Sequence, residues 1–162
     1  MSRFMNQNSS PDWVLHPQLA ADAVAIGDLP LCRVLVMNEA NWPWIILVPR
    51  QMRASEYVRE IFELSPAGQQ QLTQEISKTA QALQQDTGAE KMNIAALGNM
   101  VPQLHIHIIA RFKDDPAWPK PVWGAVARQV MEEAQFQEKR GILEKLLKIT
   151  FNADFLGINI IK

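Results

Sequence analysis

The chain has 162 residues, a formal net charge of −1 and 48% hydrophobic residues, enough apolar material for the core of one ordinary domain. Near-neutral charge argues against a nucleic-acid partner, which asks for a basic face, but not against a small phosphorylated ligand held by backbone N–H groups. No stretch approaches the ~20 continuous apolar residues that span a bilayer, the opening MSRFMNQNSS lacks a secretory apolar segment, and the single cysteine, Cys32, lies in the apolar run Leu31 to Met37, so no membrane association and a reducing cytoplasmic setting are expected.

Residues 1–10 read as a frayed start. Residues 22–28 and 31–38 read as two short strands joined at Leu29-Pro30. A turn signal covers Asn38 to Pro43, and the β-branched and aromatic run Trp44-Ile45-Ile46-Leu47-Val48 ends at Pro49. This is the pattern of successive antiparallel strands. The period then changes. Ser65 is a good N-cap, Pro66 suits the first helical position, Leu72, Ile76, Ala80 and Leu83 recur at helical spacing, and Gly88 supplies a stop, which predicts a helix over 66–87. Asn93 to Leu97 reads as a strand, Gly98-Asn99 as a turn and Leu104 to Phe112 as another strand. The segment 114–124, rich in Pro and Trp, predicts an ordered but irregular loop. Val126, Val130, Met131 and Ala134 suggest a helix start, and Leu143, Leu146 and Leu147 a second helical stretch, with Gly141 between them. The tail, Thr150 to Lys162, fits no one pattern. With no repeat and no linker, residues 1–162 read as a single α+β domain with a core over about 20–125 and a helical extension over 125–162. An antiparallel sheet of about five strands with helices on one side buries these faces most simply.

The segment carrying chemistry is Gln103-Leu104-His105-Ile106-His107-Ile108-Ile109. Side chains alternate across a strand, so Leu104, Ile106 and Ile108 face the core while Gln103, His105 and His107 face the other way. A neutral imidazole is a good nucleophile, and its unperturbed pKa of about 6.5 leaves it mostly neutral at pH 7. One nitrogen must be free to attack and the other must hold its proton on a fixed acceptor, for which a main-chain carbonyl suffices. A second imidazole on the same face can bond the phosphate or the leaving group. Two other uses of the same pattern stay open. The pair can be polar residues on the outer face of a sheet, or two ligands of a zinc ion that needs further donors, for which only His16, Asp114 and Asp115 offer themselves.

The stretch Gly98 to Arg111, with its His-φ-His-φ-φ core (φ apolar), resembles the signature of the histidine triad family, His-φ-His-φ-His-φ-φ. The likeness extends to Cys32–Arg50, which looks like the family's paired strands ending in a Val-Pro-basic turn. It also takes in the helix at 66–87 and the segment Asp114 to Gly124, which is similar to a post-motif segment of a bacterial subgroup. The resemblance implies a fold of an antiparallel sheet, a long central helix and a C-terminal helix, commonly as a homodimer. It implies hydrolysis or transfer at the α-phosphate of nucleoside phosphoramidates or dinucleoside polyphosphates. His105 would be the nucleophile, oriented by the carbonyl of Gln103, and His107 would contact the phosphate or leaving group. Asn99 would contact phosphate, and Asn93 and Asn38 phosphate and ribose. No metal ligand set and no obligatory cofactor are implied, though Mg²⁺ can accompany the substrate.

Two departures stand out. Gln103 occupies the place of the first triad histidine. Its carbonyl survives the change, but its side chain cannot shuttle a proton. Trp44 occupies a place where many members carry a further histidine. It would close part of the pocket, stack on a base or simply pack the core. Trp118 and Trp123 would shape the nucleotide site, line a dimer contact or anchor their loop. His16, Arg50 and Arg53 read as surface residues, and no Gly-rich Walker-type loop occurs.

Overall fold

The apolar runs predicted as strands become neighbours in one sheet. In the computed structural model, which describes Ser10 and residues 12–158, a short helix α1 (Pro17–Asp22) leads into β1 (Ala23–Asp28), β2 (Cys32–Met37) and β3 (Trp44–Pro49). A small hairpin of β4 (Met52–Arg53) and β5 (Glu56–Tyr57) and a 3₁₀ turn at Ile61–Glu63 precede the long helix α2 (Pro66–Thr87). Then come β6 (Lys91–Ala95), β7 (Ile106–Arg111), helix α3 (Glu133–Phe151), a 3₁₀ turn at Asn152–Asp154 and the edge strand β8 (Leu156–Gly157). The sheet runs β6-β7-β3-β2-β1-β8, and every pairing in it is antiparallel. It has six strands; the sixth is contributed by the tail, which sequence periodicity left undecided.

Helix α2 matches its predicted bounds because both ends carry their own chemistry. The Ser65 hydroxyl accepts from Gly68 N–H at 3.1 Å, Pro66 fills the first turn, and Gly88 adopts a left-handed φ of 70° at the C-cap. Its apolar stripe and that of α3 cover one face of the sheet, where Ile26, Val34, Val36, Ile45, Leu47, Leu104, Ile106 and Ile108 meet Leu72, Leu83, Phe136, Leu143 and Leu147. Full burial of each such side chain stabilises by about 1.5–3 kcal/mol relative to exposure. Glu75 ties helix to sheet from inside this layer. Its carboxylate accepts from the N–H groups of Leu31 and Cys32 at 2.7 and 2.9 Å, and burial pushes it above the usual carboxylate range in spite of these bonds.

The opposite face is covered too, by loops and the short helix α1. Leu19, Trp42, Trp44, Ile46, Val101, Ile109, Ala117 and Val122 form a second apolar cluster. The loop after β7 is held there by Arg111, which is buried with Asp115. Its Nε and Nη2 donate to the Asp115 carboxylate at 2.7 and 3.1 Å, Nη1 donates to Asn93 Oδ1 at 2.6 Å and Nη2 to the Lys120 carbonyl at 2.8 Å. Burial alone would raise the Asp115 pKa, but bonds from Arg111 and from the N–H groups of Phe112 and Ala117 hold it well below the usual carboxylate range.

Several sequence expectations need correction. The helix start expected near Val126 is irregular chain, because its donors are used elsewhere. Arg128 donates to the Asn38 carbonyl, Gln129 N–H to Glu39 and Met131 N–H to Asn38 Oδ1. Gly141 breaks nothing: α3 runs through it, exposed and without a neighbour to clash. The ~1 kcal/mol that Gly costs in a helix is offset by the packing of Phe136, Leu143 and Leu147. The strand expected at 93–97 begins earlier, because Lys91 pairs with Arg111, and Leu97 is exposed in the following loop. Gly27 admits the tail: a Cβ there would overlap the Phe155 ring, which packs where β8 pairs with β1. Apart from Ser10, the predicted frayed start falls outside the described residues, as do the last residues of the tail.

Replacing Asp115 by Ala leaves the Arg111 guanidinium buried without its anion. A loss of about 3–5 kcal/mol is expected in the free energy of urea unfolding. Because the folded Asp115 titrates below its unfolded value of about 3.9, the stability it contributes is fully present above that value and is lost as pH falls below it. The unfolding midpoint of the parent should therefore drop more steeply with acid than that of Asp115→Ala, as followed by circular dichroism.

Candidate active site

The chain enters β7 through Gln103, Leu104 and His105, and the alternation of a strand already holds there. Leu104, Ile106 and Ile108 pack into the helix-covered layer, while His105 and His107 face the loop-covered side. Both rings are only 7% exposed, so they are not polar decoration on an outer face. They line a pocket of about 410 Å³ together with Leu19, Asp22, Met37, Trp44, Ile46, Trp123 and the loop 97–101. Gly98, at a left-handed φ of 71°, lets that loop turn where it lines the pocket.

His105 Nδ1 lies 2.7 Å from the main-chain carbonyl of Gln103. A carbonyl only accepts, so the ring must carry its proton on Nδ1 and present the Nε2 lone pair. No described residue hydrogen-bonds Nε2. The geometry therefore supplies what a nitrogen nucleophile needs: a fixed tautomer, an open attacking atom and a walled pocket around it.

His107 is held in the opposite sense. The indole Nε1–H of Trp44 donates to His107 Nδ1 at 3.1 Å. An indole N–H is a donor only, so the His107 proton is on Nε2. The two imidazole centroids are 4.9 Å apart, and Trp44 and Trp123 meet His107 edge-on at 5.4 and 5.2 Å. Burial, then the neighbouring His105, pushes the His107 pKa down to about 4. The site thus presents the His105 Nε2 lone pair, in the tautomer set by the Gln103 carbonyl, beside the Nε2–H donor of His107, which is uncharged at neutral pH.

The remaining predicted residues divide. Asn99 lies in the exposed rim of the pocket. Gln103 is buried, and its side chain is not among those lining the pocket. Its amide oxygen accepts from His16 N–H at 2.8 Å and its amide nitrogen donates to the Val14 carbonyl at 3.0 Å, which fastens the segment before α1. Asn93 and Asn38 are also outside the lining: Asn93 is bound to Arg111, and Asn38 receives Met131 N–H at 2.9 Å. Their amide oxygens serve the scaffold around the pocket. His16 caps α1, its Nδ1 accepting from Gln18 N–H at 3.1 Å. Sequence reading missed α1 and with it the pocket residues Leu19 and Asp22. The signal was there, in a capping residue followed by Pro17 at the first helical position.

Among the described residues, no group of three or more His, Cys, Asp and Glu side chains comes together, and no helix is long and apolar enough to cross a membrane. The HIT domain family model matches residues 18–114. Solved structures of histidine triad proteins are similar along most of the chain. One from Bradyrhizobium japonicum is 47% identical with a TM-score of 0.78, over 83% of this chain and 98% of that one. One from Sinorhizobium meliloti is 43% identical with a TM-score of 0.77, over 84% and 98%, and one from Marinobacter aquaeolei is 42% identical with a TM-score of 0.76, over 88% and 98%. No curated protein matches. With the sheet, the central helix and the paired histidines in place, the chain belongs to the histidine triad (HIT) family.

Proposed function

We propose that the protein is a nucleotide hydrolase or transferase acting at the α-phosphate of substrates such as dinucleoside polyphosphates or nucleoside phosphoramidates, through a His105-nucleotidyl intermediate. The observation that carries this is the His105 ring, with Nδ1 committed to the Gln103 carbonyl and Nε2 unengaged at the pocket wall. In the first step the Nε2 lone pair forms a bond to the α-phosphorus. The bond to the leaving group breaks, its electron pair goes with that group, and the proton stays on Nδ1, hydrogen-bonded to the Gln103 carbonyl. In the second step a water oxygen attacks phosphorus. The P–N pair returns to Nε2, the water proton passes to solvent, and a nucleoside monophosphate departs. His107 Nε2–H donates to a phosphoryl oxygen, where a preorganised donor is worth most as charge develops.

The pocket favours a nucleoside over a bare phosphate. Leu19, Met37, Trp44, Ile46 and Trp123 give it apolar walls that suit a base. No Lys or Arg is among its described lining residues, so a Mg²⁺ brought in on a polyphosphate would supply positive charge. A homodimer is proposed as the working form, with the second copy alongside edge strand β6, where Ile94 and Leu97 are each 48% exposed.

Incubation with an adenosine 5′-nitrophenyl phosphate, with diadenosine tetraphosphate and with an adenosine phosphoramidate, each with and without chelator, tests the reaction. Acid-labile nucleotidyl label should appear on the parent and be absent from His105→Ala, and that variant should lose at least about 10³-fold in turnover, the scale on which the loss of a nucleophile is felt. Chelation should slow only the polyphosphate. Binding without turnover would point instead to a nucleotide-binding regulatory module, the alternative that Gln103 favours, and zinc-restored turnover to a metal hydrolase built on His105 and His107. Sedimentation velocity should give a dimer that Ile94→Lys dissociates.

A further inference from the structure

We propose that this site turns over nucleotides whose leaving group departs as a weakly basic anion, such as a phosphate, polyphosphate, sulfate or carboxylate joined to the α-phosphate, and discriminates against phosphoramidates of basic amines. The proposal rests on nucleotidyl transfer to His105 and narrows its substrate class. Its basis is that, among the described residues, the imidazole beside the nucleophile and the side chain in the first triad place are both held in forms with no labile proton to give.

Trp44 is the first lock. Its indole N–H occupies the His107 Nδ1 lone pair at 3.1 Å. Protonating His107 would set N–H against N–H, so the ring works as a neutral Nε2–H donor. A neutral imidazole N–H stabilises an oxygen by hydrogen bonding but is far too weak an acid to transfer its proton. Trp44 itself cannot pass a proton on, because indole nitrogen has no basic lone pair. Trp44 is thus a positioning residue that acts through His107.

Gln103 is the second lock. An amide does not titrate, and this one has its oxygen on His16 N–H and its nitrogen on the Val14 carbonyl. The His105 proton is also spoken for, since Nδ1–H is held by the Gln103 carbonyl and faces away from the attacking nitrogen. Among the described residues, no other donor bonds His107. β3 sets Ile46 opposite it and β6 sets Ala95 opposite it, the covering loop adds Trp123, and the titratable group beside it is His105. The one carboxylate among the described lining residues, Asp22, accepts from Gln18 Nε2 at 3.0 Å and lies 4.0 Å from Arg128.

The chemical consequence follows from the electron count of the first step. When the P–O bond to a phosphate or sulfate breaks, the pair rests on an oxygen anion of low basicity, and no proton is needed. When a P–N bond breaks, the pair rests on nitrogen, and expulsion of an amide anion is prohibitive, so the nitrogen must gain a proton as it leaves. A positioned general acid is ordinarily worth about 10²–10⁴-fold. That factor should be missing here.

The test uses the parent protein and adenosine 5′-phosphate esters of a graded series of phenols, from nitrophenols to phenol, beside an N-alkyl adenosine phosphoramidate. The expected result is a steep fall of kcat/KM with leaving-group basicity, with the phosphoramidate about 10²–10⁴-fold below the nitrophenyl ester. In ¹⁵N-resolved NMR, His107 should show the Nε2–H tautomer with shifts constant across the neutral range, and Trp44→Phe should release it to titrate and make the basicity dependence shallower at acid pH. A flat series, with the phosphoramidate cleaved as fast as the nitrophenyl ester and His105 still labelled, overturns this proposal and leaves the His105 mechanism standing. So does a His107 that titrates near neutrality in the parent. Failure of the nitrophenyl ester to label His105 at all overturns the mechanism, and the leaving-group rule falls with it.

Discussion

A single main-chain oxygen organises the pocket. The Gln103 carbonyl accepts from His105 Nδ1 at 2.7 Å, and this decides which of two chemically similar nitrogens faces the cavity. Burial makes the choice firm: inside a dry wall the alternative tautomer would set an Nδ1 lone pair against a carbonyl oxygen and leave that oxygen without a donor, at a cost of about 1–3 kcal/mol or more. Everything around it maintains the approach of the chain to that bond. The Gln103 side chain clamps the Val14–His16 segment, Leu104 N–H is anchored on the Val58 carbonyl at 2.8 Å, and β7 is paired on both edges.

The loop-covered face is the unusual part of the architecture. A sheet with helices on one side usually leaves the other to solvent, yet here the second face is closed by the segments before α1 and after β7. The Arg111–Asp115 pair is what makes such a cover rigid, since it joins β7, β6 and the loop through one buried guanidinium. The cover sets Trp123 against Trp44 and His107, with the two indole centroids 5.6 Å apart, and so turns a strand surface into a cavity. Structure and chemistry meet in that aromatic cluster: the groups that bury His107 also hold it neutral.

Gln103 and Trp44 set the character of the site around His105 and His107. A glutamine whose amide oxygen and nitrogen each hold a main-chain partner and a tryptophan that can only donate stand beside two imidazoles that keep opposite tautomers. In the proposed reaction such a site would align a phosphate by neutral donors, and its selectivity would rest on the substrate's own leaving group.

Much of this was written locally in the chain. The alternation from Leu104 to Ile109 fixed which side chains share a face, the Ser65-Pro66 start and Gly88 stop fixed α2, and the carbonyl of residue 103 needs no particular side chain to orient His105. These features depend on near neighbours, and their period or capping chemistry shows in a short window. What tertiary structure alone decided lies between residues far apart: Trp44 with His107, 63 positions away, and Gln103 with His16 and Val14, 87 and 89 away. It also decided that Asn38 and Asn93 brace the scaffold, that 125–132 stays irregular and that the tail becomes a sixth strand. A buried polar group bonds whatever partner the fold brings within about 3 Å, and neither periodicity nor composition holds that distance.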